Sequence, residues 1–278
     1  MIKFNYHSHS FFCDGKNTLE EMAISAIENK MQYFGFSAHS SLPSISNFGL
    51  QENEIKNYLD EINRLKEKYK DKIKLFASME FDYIPSITKD IREKARLYNL
   101  DYIICSVHLV ESKSGGYWFI DGSKQESYDE GLKEYFNGNI KEGVTAFFQQ
   151  TISMIENVKP DIVGHFDKIK MHNRDRYFLE TDSWYKDLVM ATIEAMKKNN
   201  SICEVNTRGL YKGRSNDYYP LTAWLKIMAK ENIRVTISTD AHKKEEVSSL
   251  FLECRNHIKD CGYKEVYYFD GAWKADKL

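Results

Sequence analysis

The sequence predicts an α/β fold in which a parallel sheet closes, or nearly closes, into a barrel with helices outside it. Three observations carry this. Apolar runs of strand length alternate with stretches of helical periodicity seven times along the chain, an alternation that gives parallel sheets flanked by helices. The length of 278 residues suits one α/β barrel, a fold of about 250 residues, so a single domain over 1–278 is expected. Histidine or a carboxylate stands at the carboxyl end of six of the seven strands, and in a barrel those ends converge on one face. A doubly wound open sheet is the alternative.

Taken in order, Phe4 and Tyr6 alternate with Asn5 as a short strand and lead into His7-Ser8-His9, whose two imidazoles point to the same side. A loop with Asp14-Gly15 reaches Asn17-Thr18, a helix cap, and then Leu19, Met22, Ala23, Ala26 and Ile27 at helical spacing. Tyr33 to Ala38 is a strand ending at His39, followed by a Ser/Pro/Gly loop to Leu50. Ile55, Leu59, Ile62, Leu65 and Tyr69 mark one face of a helix before the strand Ile73 to Met79, which ends at Glu80. A helix over Ile87 to Leu97 and the strand Tyr102 to Val107 follow, ending at His108.

The segment Leu109 to Ser127 reads as a functional loop, because unstructured loops of this length are uncommon in compact domains. Helices are expected over Tyr128 to Phe136 and Glu142 to Val158, then a strand over Asp161 to Gly164 running into His165. The loop His172 to Asp182 carries Arg174 and Arg176; a helix with Leu188, Ala191, Ile193 and Ala195 comes next. The strand Ile202 to Val205 leads to Asn206 and a polar loop, Thr207 to Tyr219, holding Arg208, Lys212 and Arg214. A helix starts at Pro220 or Leu221. Arg234 to Ser238 is a strand ending at Thr239-Asp240-Ala241-His242, before a helix through Val247, Leu250, Phe251 and Ile258. Glu265 to Phe269 is a tail strand and a candidate eighth.

A net charge of −2 with no basic tail makes nucleic acid an unlikely partner. No apolar run approaches the roughly 20 residues that span a bilayer, and the first twelve residues lack a leader pattern, so the expected location is the cytoplasm. The five cysteines, Cys13, Cys105, Cys203, Cys254 and Cys261, are odd in number and form no Cys-x-x-Cys pair, which argues for a reducing compartment. Cys13 lies beside the histidine pair, and a metal or redox role for it is not favoured.

His7, His9, His39, Glu80, His108, His165, Asp240 and His242 therefore form one constellation. Imidazoles and carboxylates without thiolates suit zinc, manganese or iron and suit calcium poorly. One zinc needs only three or four protein ligands, so this many candidates imply two or three divalent metal ions, with Glu80 or Asp240 placed to bridge. Paired ions of this kind clamp a phosphoryl group during in-line displacement.

These motifs resemble those of the PHP (polymerase and histidinol phosphatase) family, over nearly the whole chain, and most of all its histidinol-phosphate phosphatases. His7-Ser8-His9 followed by Asp14 is similar to the family's first motif, His39 to its second, and Glu80 and His108 to its third region. Gly164-His165-Phe166-Asp167 resembles its Gly-His-x-Asp element, and Ser238-Thr239-Asp240-Ala241-His242 its final Ser-x-Asp-Ala-His. The resemblance implies a distorted TIM-like (β/α)7 barrel with a trinuclear metal centre and phosphoesterase activity. It also implies nine ligands: His7, His9, Asp14, His39, Glu80, His108, His165, Asp240 and His242. Asp14 has a second reading as part of an Asp-Gly turn. Ala38 departs from the pattern, since relatives often carry an acid before the second-motif histidine.

The expected reaction is hydrolysis of a small phosphate monoester, L-histidinol phosphate first, by attack of a metal-bridging hydroxide on phosphorus. Arg208 leads the candidates for phosphate binding, because the segment Glu204 to Leu210 resembles a family element near the substrate; Lys212, Arg214, Arg174 and Arg176 follow. The sequence does not choose a proton donor among Asp14, Asp240, His242 and others, with Glu80 also counted in the catalytic set. Tyr117 to Asp121 resembles an insertion of histidinol phosphatases, with aromatic walls such as Trp118 for an imidazole and Asp121 for an ammonium group. The alternatives are a PHP phosphoesterase acting on nucleotides or nucleic-acid ends, and a metal-binding module without catalysis. Oligomeric state is not legible.

Overall fold

The computed structural model describes every residue except 43, 44, 46, 47 and 89. Its strands are β1 (Phe4–Asn5), β2 (Tyr33–His39), β3 (Lys74–Asp82), β4 (Ile104–Ser106), β5 (Leu109–Glu111), β6 (Tyr117–Phe119), β7 (Ile162–Val163), β8 (Ile202–Asn206), β9 (Arg234–Ser238), β10 (Glu265–Phe269) and β11 (Trp273–Lys277). The helices are α1 (Leu19–Glu28), α2 (Ile55–Tyr69), α3 (Ile91–Leu97), α4 (Gln125–Phe136), α5 (Ile140–Asn157), α6 (Ser183–Lys198), α7 (Arg208–Tyr211), α8 (Thr222–Lys230) and α9 (Phe251–Asp260).

Seven strands form one parallel sheet in chain order, β1-β2-β3-β4-β7-β8-β9. The two outer strands meet just past their carboxyl ends, where the His9 N–H donates to the Ala241 carbonyl at 2.8 Å and the Ala241 N–H to that of His7 at 3.2 Å. The sheet is thus a nearly closed, distorted seven-stranded barrel, sealed beside the two sequence segments that carry His7, His9, Asp240 and His242. Local chemistry matches the element starts: Thr18 and Glu21 form a reciprocal capping box on α1, and α2 buries Ile55, Tyr58, Ile62, Leu65 and Tyr69 on one face.

Four expectations need correction. The tail strand β10 is not an eighth barrel strand; it pairs antiparallel with β11, and this hairpin covers the amino-terminal ends of the barrel strands. There the Tyr6 hydroxyl donates to the Phe269 carbonyl at 2.8 Å and accepts from its N–H at 2.7 Å, while the Tyr6 ring packs on Phe76, Tyr102 and Trp273. The segment 109–127 is largely a hairpin of β5 and β6, turned by Gly115 and Gly116 with φ of 91° and 85°, a region glycine enters without strain. The helix expected from Ile87 begins at Ile91, because the Thr88 hydroxyl bonds the Ile84 N–H and carbonyl and holds a turn; Lys89, in that range, lies outside the described residues. The polar loop 207–219 opens with the single turn α7. The expected loop from Ser40 to Leu50 contains residues 43, 44, 46 and 47, which lie outside the described residues.

Candidate metal centre and substrate cavity

Side chains two apart on a strand share a face, and the barrel strands use this to bring polar groups inward near their carboxyl ends. Glu80 and Asp82 on β3, Ser106 and His108 at β4, Glu204 and Asn206 on β8, and Ser238 and Asp240 at β9 are all buried. Two glycines make room. A Cβ on Gly15 would sit 2.4 Å from the Ser10 nitrogen, so the Asp14-Gly15 turn folds tightly against His9-Ser10 and in doing so aims Asp14 at the histidines. A Cβ on Gly164 would meet the Ser106 hydroxyl at 2.2 Å; that hydroxyl donates to Glu80 Oε1 at 2.6 Å. Asp240 takes a φ of 48°, a conformation unfavourable for a non-glycine residue that clusters at functional sites.

All nine residues implied by the family resemblance come together. Ligand-type atoms of His9, Asp14, His39 and His242 lie within 4.8 Å of one another, as do those of His7, His9 and Asp240, and those of His39, Glu80 and His108. His165 Nε2 completes the set, 3.2 Å from Glu80 Oε1 and 3.3 Å from His108 Nε2. Glu80 is central: Oε2 lies 3.0 Å from both His7 Nε2 and His39 Nδ1.

The donor set fits divalent cations. His7 Nδ1 lies 2.6 Å from Glu204, His108 Nδ1 3.0 Å from Asp82, and His242 Nδ1 3.0 Å from the Asp240 carbonyl. Each acceptor fixes a proton on Nδ1, which turns the Nε2 lone pair toward a neighbouring carboxylate or imidazole. Among the described residues, His7 Nε2, His9 Nε2, Asp14 Oδ1, His39 Nδ1 and Glu80 Oε2 are buried without a hydrogen-bond partner, a costly state for polar atoms unless a cation lies among them. Protons alone do not substitute. Burial would push His7 down, yet Glu80, Glu204 and Asp240 raise it; burial and the neighbouring His242 and His39 drive His9 the other way. Burial also lowers His165, reinforced by Lys168. Glu80 stays ionised despite burial because His7, His39 and His108 face it. Cys13 Sγ is 3.6 Å from His9 Nδ1, and burial pushes its thiol up to about 12.

A cavity of about 270 Å³ opens over Asp14, His39, His108, Asp240 and His242, with Lys168, Arg208 and Arg214 as its cations. Phe48, Phe119, Asp121 and Ser123 complete the lining. Arg208 is buried and anchored, donating from Nη1 to the Asp240 carbonyl at 2.7 Å. Other expected substrate residues lie elsewhere. Lys212 is paired with Glu246 and does not line this cavity. Arg176 is paired with Asp129 at 2.8 Å, and Arg174 lines a separate polar cavity. Trp118 is buried under α4 with its Nε1–H donating to the Tyr128 carbonyl at 2.8 Å; strand alternation turns it away from the cavity and presents Phe119 instead, stacked 5.7 Å from Phe48. Sequence reasoning missed Glu204, Asp82, Ser106 and Lys168. For Glu204 a signal existed, a charge inside the apolar run Ile202-Cys203-Glu204-Val205.

The model of the PHP domain matches residues 5–208. This chain belongs to the PHP domain family. The PHP match spans the elements from β1 to the start of α7 and includes seven of the nine clustered residues, all but Asp240 and His242. A histidinol-phosphatase of Lactococcus lactis is 26% identical over 288 residues, covering 100% of this chain and 97% of that protein. A Listeria monocytogenes protein of known structure superposes with a TM-score of 0.81 at 21% identity, over 90% of this chain and 99% of that one. The structure of histidinol phosphate phosphatase from Lactococcus lactis, complexed with zinc, L-histidinol and phosphate, gives a TM-score of 0.73 at 21% identity over 99% of both chains. These likenesses confirm the PHP barrel. Among the described residues, no helix is long and apolar enough to cross a membrane.

Proposed function

We propose that this PHP protein is a metal-dependent phosphoric monoester hydrolase that converts L-histidinol phosphate to L-histidinol and phosphate. The observation that carries the reading is the convergence of partnerless buried nitrogen and oxygen atoms beneath a cavity lined by cations. The full-length similarity to a histidinol-phosphatase, and the zinc, L-histidinol and phosphate held by a relative of the same fold, support the substrate.

The nine clustered residues would hold two or three divalent ions, of zinc, manganese or iron. Such ions supply Lewis acidity at phosphorus and water made acidic enough to ionise near neutral pH. The remaining work falls to the chain. Glu204 and Asp82 fix the tautomers and ring orientations of His7 and His108. Arg208, anchored by the Asp240 carbonyl, presents its remaining donors to the cavity, and Arg214 adds a second planar cation; guanidinium groups match phosphoryl oxygens in geometry. Phe119 and Phe48 form the apolar wall against which the imidazole ring of the leaving alcohol packs.

The test is phosphate release from L-histidinol phosphate, mononucleotides and short oligonucleotides by metal-loaded protein. L-histidinol phosphate is expected to be turned over fastest. Equal or faster nucleotide turnover overturns the substrate, and no release from any of them overturns the enzymatic reading.

A further inference from the structure

Lys168 is the charged residue least accounted for by the metal centre. It follows His165 by three positions, in the single helical turn Lys168–Lys170 after β7, and is only 4% exposed, yet it lines the cavity. Its ammonium lies 2.6 Å from Asp121 Oδ2 and 3.7 Å from Asp240 Oδ2. Its neighbour Lys170 contrasts with it: that ammonium donates to the Tyr218 carbonyl at 3.1 Å, pairs with Asp167 at 3.3 Å, and lines a different cavity. Arg208 likewise spends donors on the Asp240 carbonyl and faces Glu246. Among the described residues the Lys168 ammonium makes no hydrogen bond to a backbone carbonyl, and an ammonium carries three donors.

Asp121 stands just beyond β6, the second strand of the hairpin that follows His108. Its Oδ2 engages Lys168, while its Oδ1 is buried without a partner among the described residues. A buried ion pair is poor as a stabilising device compared with apolar packing, so its place at the edge of a catalytic cavity points to use. The expected role of Asp121, receiving a substrate ammonium, now has a counterpart within the chain, because Lys168 places its own ammonium on Oδ2.

We propose that Lys168 is a phosphate-binding residue of this site and Asp121 its positioning residue. Asp121 takes one ammonium donor and sets the stem, leaving the others for a non-bridging phosphoryl oxygen. Lys168 acts as a fixed point charge beside the planar cations Arg208 and Arg214, and the phosphoryl group is gripped by three cations from two helical turns and one loop. This inference rests on the reading of the site as a phosphomonoesterase.

The experiment measures binding of inorganic phosphate by calorimetry, on metal-loaded full-length protein, alongside metal content and kcat/KM for L-histidinol phosphate. Lys168→Met is expected to weaken phosphate binding about tenfold or more with metal content unchanged, the loss typical of one charge-assisted hydrogen bond. Lys168→Arg, which keeps the charge and the pairing with Asp121, should retain binding within about threefold, and Asp121→Asn should fall between the two. Equal phosphate affinity in the parent and Lys168→Met overturns the inference. So does a loss in Lys168→Arg as large as in Lys168→Met, which marks the lysine as a packing element. If the parent binds phosphate but leaves L-histidinol phosphate intact, the substrate reading fails while the phosphate affinities still decide the role of Lys168.

Discussion

Tyr6 and His7 are neighbours in the chain but serve opposite ends of the barrel, and the two ends follow opposite rules. At the amino-terminal end the Tyr6 hydroxyl is matched: it both gives to and takes from Phe269, and aromatic rings from β3 and the β10–β11 hairpin close around it. At the carboxyl end His7 Nε2 and four other buried polar atoms of the cluster have no partner among the described residues. The first arrangement is complete as protein alone. The second is complete only with cations, and places its cost where chemistry is done.

Variants at the two ends should therefore fail in different ways. The largest effect is expected from Asp240→Ala, which faces His7, His9, His242 and Lys168: metal content and activity should fall together, with activity down about a thousandfold or more, as loss of metal-derived charge stabilisation worth several kcal/mol implies. Metal analysis beside phosphate release checks it, and unchanged stoichiometry would break the ligand scheme. Glu204→Gln should come next. It removes the charge that orients His7, accepts from the His165 N–H and takes the Ser238 hydroxyl; metal affinity or activity should drop about 10–100-fold, the usual cost of losing such a partner.

At the other end, Tyr6→Phe should leave metal content and kcat/KM within about twofold of the parent while lowering unfolding free energy by about 1–3 kcal/mol, because the Phe269 N–H and carbonyl lose their buried partner. Denaturant titration measures this, and an activity loss with unchanged stability would erase the distinction between the ends. The smallest effect is expected from Phe119→Ala, which should raise KM for L-histidinol phosphate several-fold with kcat and metal content nearly unchanged, consistent with about 1 kcal/mol of apolar contact to the leaving group. Trp118→Phe should leave KM unaltered, since Trp118 packs under α4.

The carboxyl end was the more legible of the two in sequence, because a histidine closing an apolar run is visible wherever it falls. Glu80 and His165, far apart in the chain, could be placed together by the convergence of barrel strand ends alone. What supports them was harder to read. Asp82 and Ser106 look like ordinary polar residues beside a strand, and Lys168 carries no local pattern at all; their roles depend on which neighbouring strand they face. Trp118 was misplaced because the hairpin was read as a loop, where alternation has no meaning. The tail strand Glu265–Phe269 is legible as a strand, but its partner, Trp273–Lys277, is not, because a strand's pairing is a nonlocal property.

The central claim is that the cluster is a metal centre built to hydrolyse L-histidinol phosphate. The most direct measurement follows phosphate release from that ester while bound metal is counted, as chelator strips the protein and zinc, manganese or iron is restored. The structure predicts two or three ions per chain, activity that vanishes and returns with them, and L-histidinol phosphate favoured over mononucleotides. Full activity with the metals removed, or restored metals with no hydrolysis of this ester, would contradict it.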